Sequence, residues 1–473
     1  MLCIHLTYFM PAPLTRNYAR FVASAAGLTL PPEAVAVARL GFTDCAGVMF
    51  AGSQEDVVQR LRGHVLAQGA KAQSRLAGSD MRGGVVQAAL VNASAAHAMD
   101  YDDFAFSNHP SAVLVPTILA MADAHGASGR RMVAAYLAGY EVWADLMLRE
   151  QDLFYDRGWH PTAVLGPIGA AAAAAVVLGL DEAGACNALA LAASDSGGVF
   201  ENFGTMAKPW HGGRAAAAGA NAASLAAVGL AASASALEGR HGLMRALSPN
   251  GNVDLDTEPQ LGRVWRSAVL RLNIKKYPVV GAAQRGIDAV LALNSSERLD
   301  PRRVRGIVAH VSVRHAAVMP YHLPQDALQA KFSLQFALAA ALVHGAVGFG
   351  QLTDGVVRDP LLQRLMACVT LQTTEEFEPG WRDAAPFDVF EFTLDDGRVV
   401  STPQVRRAAG HADTPLSTAQ LRDKFLGCMR HACVADLSAQ QLFDTLQRVD
   451  KLDSVQAIAW PRCTADISHA GTA

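Results

Sequence analysis

The chain has 473 residues, 51% of them hydrophobic and 18% charged, with a formal net charge of −3. That length and apolar content support a large buried core, divided into two domains rather than one. The near-neutral balance, with no Lys/Arg run, excludes a phosphate-backbone binder, so no nucleic-acid partner is expected. The seven cysteines are scattered, odd in number and without C-x-x-C spacing, which removes a zinc site or disulfide framework and reads as reduced thiols of a cytoplasmic protein.

Residues 1–14 are apolar but lack a basic start and a small-residue cleavage site, so they read as a loose extension rather than a signal peptide. From 15 to 269 the chain is Ala-rich with helical periodicity, and sustained strand-like alternation is hard to find. Pro31 or Pro32 can open a helix through PPEAVAVARLGFTDCAGVMFAG. Thr162 to Leu180 carries no charge and is long enough to raise the membrane question. Its Ala and Gly content, with Pro167 inside, instead predicts a tightly packed core helix and no membrane partner. GGRAAAAGANAASLAAVGLAA reads as another small-residue helix. After Pro278 the texture changes. RVRGIVAHVSVRHAAV alternates β-branched and polar residues, VFEFTLDDGRVVSTPQV has a hairpin-type Asp-Gly turn, and KFSLQFALAAALVHG between them is helical. Segregated strands and helices place a smaller α+β domain at 270–404. Residues 405–463, with SAQQLFDTLQRVDKL, return to helix and pack back on the first domain, and 464–473 fray. The predicted fold is mainly α: a discontinuous helical domain, 15–269 and 405–463, plus the α+β unit.

Two segments echo each other: His109-Pro-Ser-Ala-Val-Leu-Val-Pro116 and His160-Pro-Thr-Ala-Val-Leu-Gly-Pro167. Proline suits the first helical position, so each histidine should sit at a helix N-terminus, where unsatisfied N–H groups lower its pKa and attract carboxylates. Lys208-Pro209-Trp210-His211 and Lys275-Lys276-Tyr277-Pro278 make two more basic-Pro junctions. One such junction is equally well an ordinary solvated helix start, but four suggest a shared anion site. Asp100, Asp102 and Asp103 crowd just upstream of His109. A magnesium site of the prenyl-transfer type would need a second acidic motif, which is missing. The preferred reading pairs one carboxylate, Asp100, with a histidine and leaves the others as helix caps. His310 and His315 read as surface or core histidines beside a strand, and Trp159 and Trp210 as packing residues. The chain lacks G-x-G-x-x-G, Walker A and G-x-S-x-G motifs.

HAMDYDDF, HPSAVLVP, GYEVWADL, GWHPTAVLGPIGAAAAA, GTMAKPWHGGRAA, KKYPV and AKFSLQFALAAAL occur in the order seen in the MmgE/PrpD family, which the chain resembles from about Thr15 to Pro461. The resemblance implies a helical domain with an inserted lid that closes over substrate, a homodimer, and a small di- or tricarboxylate substrate handled without metal or other cofactor. It places the catalytic set on Asp100, His109, His160, Lys208 and Lys275. His211, Tyr277, Gln284, Phe104 and Phe336 are candidate substrate-binding residues. Three of them depart from the family pattern: Phe104 stands for Thr, Phe336 for Tyr and Gln284 for His, each losing a hydroxyl or a titratable group. The implied chemistry passes through an enolate-like state stabilised by the lysines. One histidine takes the proton, and the other, paired with Asp100, returns it. A hydro-lyase of the 2-methylcitrate dehydratase type leads, with epimerase, isomerase or decarboxylase chemistry on the same scaffold as the alternative. A noncatalytic helical interaction protein is the third reading.

Overall fold

The computed structural model describes residues 12–379 and 384–463; the tail expected to fray and most of the expected N-terminal extension lie outside them. Ala12 and Leu14 are buried, the Ala12 N–H donates to Leu255 O at 2.9 Å, and a helix already runs over Leu14–Ser24.

The elements that matter to the site are helices α1 (Pro32–Gly52), α2 (Val85–Ala98), α3 (Pro110–His125), α4 (Gly129–Arg149), α5 (Pro161–Leu178) and α6 (Ala207–Ala227). Proline stands at the start of α1, α3 and α5, as the missing N–H permits. α5 packs against α4 and α6, and α6 also packs against α2. Small residues set these spacings: a Cβ at Gly219 would come within 2.3 Å of the Ala170 Cβ, and one at Gly139 within 2.7 Å of Gly169 O. The backbones therefore approach closer than any side chain would allow. Both α1 and α5 are long and apolar enough to cross a membrane, but 94% of the apolar window of α5 is buried inside the fold.

The apolar interior of the described residues resolves into a small cluster of Val48, Ala51, Met99, Tyr101 and Cys428 and two large ones. One draws on Ala12 through Ile274 and returns with Leu421 through Ile458; the other runs from Tyr277 to Leu394. The second is built on α7 (Gln284–Glu297), α8 (Leu334–His344) and a four-stranded sheet, β1 (Val304–Ser312), β2 (Val369–Thr374), β3 (Val389–Leu394) and β4 (Val399–Ser401). Strand order is β2-β1-β3-β4. β3 and β4 form the expected hairpin around Asp395-Asp396-Gly397, and β3 lies antiparallel to β1 with Ala309 opposite Phe390. β2 runs parallel to β1, pairing Ile307 with Val369. It was not expected, because an edge strand with most side chains in solvent has no apolar alternation to read. Chain-terminal helices α9 (Thr418–His431) and α10 (Asp436–Leu446) then pack on α1, as the sequence predicts. The described cysteines are all free thiols.

Phe336 corrects one expectation. It lies in α8, fully buried in the second apolar cluster and away from the cavity described below, so it fills core rather than touching a ligand. Phe336→Ala should therefore cost about 3–5 kcal/mol of stability in denaturant unfolding. A variant of unchanged stability with an altered KM would return Phe336 to the site.

Candidate active site

Four helix ends meet at one place. The C-terminal turn of α2 carries His97, and the N-termini of α3, α5 and α6 bring His109, His160, Lys208 and His211. His109 and His160 are the residues immediately before their helices, as the His-Pro pattern predicts. The two N-termini are tied together by the His109 N–H, which donates to Thr162 Oγ1 at 3.3 Å. Lys208 lies inside the first turn of α6 rather than before it. Lys275 differs more. No helix starts at Pro278; α7 begins at Gln284, and Lys275 arrives on an irregular segment held by the backbone bridge between Phe104 and Asn273.

Asp100 sits between the lysines. Lys208 donates to Oδ1, and Lys275 Nζ donates to Oδ2 at 3.0 Å and to the Asp100 carbonyl at 2.8 Å. Its φ of 48° is left-handed, a conformation that short polar residues tolerate better than most. Burial works to raise the Asp100 carboxyl, yet Lys208 and then Lys275 pull it well below the usual carboxylate range. The Lys208 ammonium is lowered by burial, against the pull of Asp100, and lies 5.2 and 5.1 Å from the rings of Phe203 and Phe332.

The histidine partner is Asp102, not Asp100. Its Oδ2 lies 2.9 Å from His109 Nδ1 and 3.0 Å from His97 Nδ1. His109 Nδ1 also lies 3.1 Å from the Asp103 carbonyl. Two acceptors at one nitrogen require Nδ1 to carry the proton, leaving the His109 Nε2 lone pair as the basic site. Burial lowers the His109 pKa against the opposing charge of Asp102, so the ring is neutral at pH 7. His97 is lowered to about 4, by burial and then by Lys208. Asp103 plays the expected capping role. It accepts from the Ser111 N–H at 3.4 Å in the first turn of α3, and burial, then Asp44, push its carboxyl well above the ordinary carboxylate value. Sequence reasoning missed His97, although it stands three residues before Asp100 in the same motif.

His97, Asp102 and His109 hold ligand atoms within 4.8 Å of one another, a spacing that could hold a cation. Here both Nδ1 protons point at Asp102, and Lys208 and Lys275 oppose a dication nearby.

Asp100, His109, Lys208 and Lys275 line a cavity of about 150 Å³, and Phe104 lines it too. His160 does not. It stacks on His97 with ring centroids 6.1 Å apart, its Nδ1 meets His211 Nδ1 at 3.2 Å, and its Nε2 is buried without a protein partner. Burial, then Lys208 and His97, push its pKa well down; burial and Arg214 take His211 to about 4. Two further candidates are consumed structurally. Gln284 reaches the cavity wall, but its Oε1 accepts from the Lys276 and Tyr277 N–H groups, each at 3.1 Å. Its Nε2 donates to Tyr277 O and Val279 O, at 2.9 and 3.1 Å. It staples the Lys275 segment. Tyr277 donates its hydroxyl to Asp288 at 2.7 Å and lies outside the cavity lining. His315, read as a surface or core residue, does line the cavity. A neighbouring cavity of about 640 Å³ shares Phe104 and Asn273 but carries Glu150, Asp152 and Asp413, which repel an anion.

The acidic loop itself is gripped by three lysines. Lys331 donates to Ala98 O at 3.0 Å, Lys275 to Asp100 O, and Lys424 of α9 to Tyr101 O at 2.9 Å.

Two family models match the chain: the MmgE/PrpD N-terminal domain over residues 16–256 and the MmgE/PrpD C-terminal domain over 277–448. The chain is similar to cis-aconitate decarboxylase of Mus musculus, 26% identical over 430 residues, covering 88% of this chain and 86% of the relative. It is 27% identical to the Homo sapiens cis-aconitate decarboxylase, covering 86% and 84% of the two chains. A cis-aconitate decarboxylase of Aspergillus terreus is 24% identical over 330 residues, covering 64% and 67%. These relatives are lyases. The paired domain matches, which together cover most of the chain and include Asp100, His109, His160 and Lys208, show that the chain belongs to the MmgE/PrpD family.

Proposed function

We propose that this protein is a cofactor-independent lyase that binds a small di- or tricarboxylate in the cavity and transfers a proton at a carbon next to a carboxylate. The observation that carries the reading is the neutral His109 imidazole, held by Asp102 in one tautomer, beside two buried ammonium groups that share the single carboxylate of Asp100. That wall has an excess of positive charge for a substrate carboxylate. Fixed cations in a dry site stabilise the extra charge of an enolate-like state more strongly than water does. The α+β unit serves as the lid and the active form is a homodimer in this reading.

The relatives favour carboxyl loss. A proton adds to one alkene carbon of an unsaturated tricarboxylate, the electrons of the C–CO₂ bond form the new double bond, and CO₂ leaves. The sum is one proton taken up, with no oxidant. Dehydration is the second reading, favoured by the free Nε2 of His109, which is placed to remove an α-proton and return it to the departing hydroxyl.

Incubation with candidate acids in deuterated water, followed by NMR, separates them. Decarboxylation should release CO₂ and leave one deuterium in the product, while dehydration yields an alkene without CO₂. Deuterium washing into substrate alone would point to an epimerase. If neither turnover nor binding of any di- or tricarboxylate is found, the lyase reading is wrong.

A further inference from the structure

We propose that Arg285 and His315 form a second carboxylate subsite, on the cavity wall contributed by the C-terminal α+β unit, that takes the far carboxylate of a tricarboxylate. This rests on the lyase reading only for the class of ligand.

Four observations carry it. First, both residues line the same cavity as Asp100, His109, Lys208 and Lys275. Second, Arg285, in the first turn of α7, is buried, and the described protein hydrogen bonds of its guanidinium leave from Nη1 alone, to Ala385 O at 2.9 Å and Asp388 Oδ1 at 3.3 Å. The remaining nitrogens of the fork are what a ligand carboxylate would meet, and an arginine cannot shed its charge to escape burial. Third, His315 Nδ1 is buried with no protein partner, while its backbone N–H donates to Ser312 Oγ at 2.9 Å and fixes the helical turn that carries it. Fourth, the wall repeats the logic of the opposite one. The buried Asp388 carboxylate lies 3.3 Å from Arg285 Nη1, as Asp100 pairs with Lys208 and Lys275.

Each wall thus pairs a buried carboxylate with a cation without capping all of the cation's donors. A ligand with carboxylates at both ends satisfies both walls, and a shorter diacid reaches one. The contribution of the second wall is specificity for chain length and carboxylate number, while the proton-transfer step stays with His109. A guanidinium that served only as an internal tie to Asp388 would be indifferent to which acid enters.

The test is isothermal titration of the full-length protein with two unreactive probes, propane-1,2,3-tricarboxylate and the shorter diacid malonate. Arg285→Gln should weaken the triacid by about 10–100-fold, the worth of a charge-assisted hydrogen bond, and change malonate by less than about threefold. Because Arg285→Gln also strips Asp388 of a partner and so endangers the fold, His315→Gln is an independent arm. It should weaken the triacid by about 3–10-fold and leave malonate unchanged. Equal losses for both probes, or no loss for either in both variants, would overturn the subsite while leaving the first wall intact. Failure of the unsubstituted protein to bind either probe would overturn the carboxylate reading itself.

Discussion

His109→Asn should lower kcat by about 10²–10⁴-fold, the usual contribution of a positioned general acid or base. The asparagine Nδ2 can keep a hydrogen bond toward Asp102, so the α3 N-terminus and the cavity should survive and the melting temperature should move little. What disappears is the lone pair on Nε2, for which the amide has no substitute. Proton donation in decarboxylation would need the protonated ring, whereas His109 acting as the base, as in dehydration, should give the enzyme an acid limb in kcat/KM, because only the neutral imidazole accepts a proton. Burial, opposed by Asp102, lowers the His109 pKa, so that limb should fall below the ordinary imidazole value of about 6.5. Steady-state turnover measured across pH 4–8 checks both points. A variant within a few-fold of normal turnover would remove His109 from the chemistry.

Asp100→Asn should have the second large effect, and on stability as well as rate. The amide matches the carboxylate in shape but leaves Lys208 and Lys275 facing each other in a buried site with no counter-charge. Breaking a buried pair in this way costs about 3–5 kcal/mol. Turnover should fall by about 10²–10³-fold as the electrostatic arrangement is lost. The pH dependence identifies the cause. In the unsubstituted protein the folded Asp100 pKa lies below the unfolded value of about 3.9, so its stabilisation is complete above that value and drains as the pH falls below it. In the variant the controlling group is Lys208, already lowered by burial and now without the opposing carboxylate. The unfolded chain then binds a proton that the folded one does not, up to the free lysine value of about 10.4, so stability of the variant should rise with pH. Thermal unfolding at several pH values measures this; a variant as stable as its parent at pH 7 would show that the lysines do not depend on Asp100.

Why some of this could be read in advance, and some could not, follows from how local each signal is. His109 and His160 were visible because proline after histidine marks a helix start, and both helices begin there. The core role of α5 followed from its Ala and Gly content. The β3–β4 hairpin followed from its Asp-Gly turn. Which aspartate meets which base was not visible, since Asp100 and Asp102 are two residues apart and the left-handed turn at Asp100 decides where each carboxylate points. His97 sits inside an Ala-rich helix, where a histidine carries no positional mark. Lys275 does line the cavity, but its segment is held by Gln284 rather than by the helix start that the Lys-Tyr-Pro junction suggests. Phe336 and Gln284 were assigned by pattern to ligand contact, and tertiary packing uses them as filler and staple. The Arg285–Asp388–His315 group joins three distant stretches of sequence, a convergence no single motif records.

The grip of Lys275, Lys331 and Lys424 on the carbonyls of residues 98–101 has a bearing on when the enzyme becomes active. All three clamps are encoded after the loop they hold, the last of them 323 residues later. A chain that ends before Lys275 carries the acidic loop with none of its fasteners in place. Such a fragment should therefore lack the Asp100 carboxylate paired with both cations of the site.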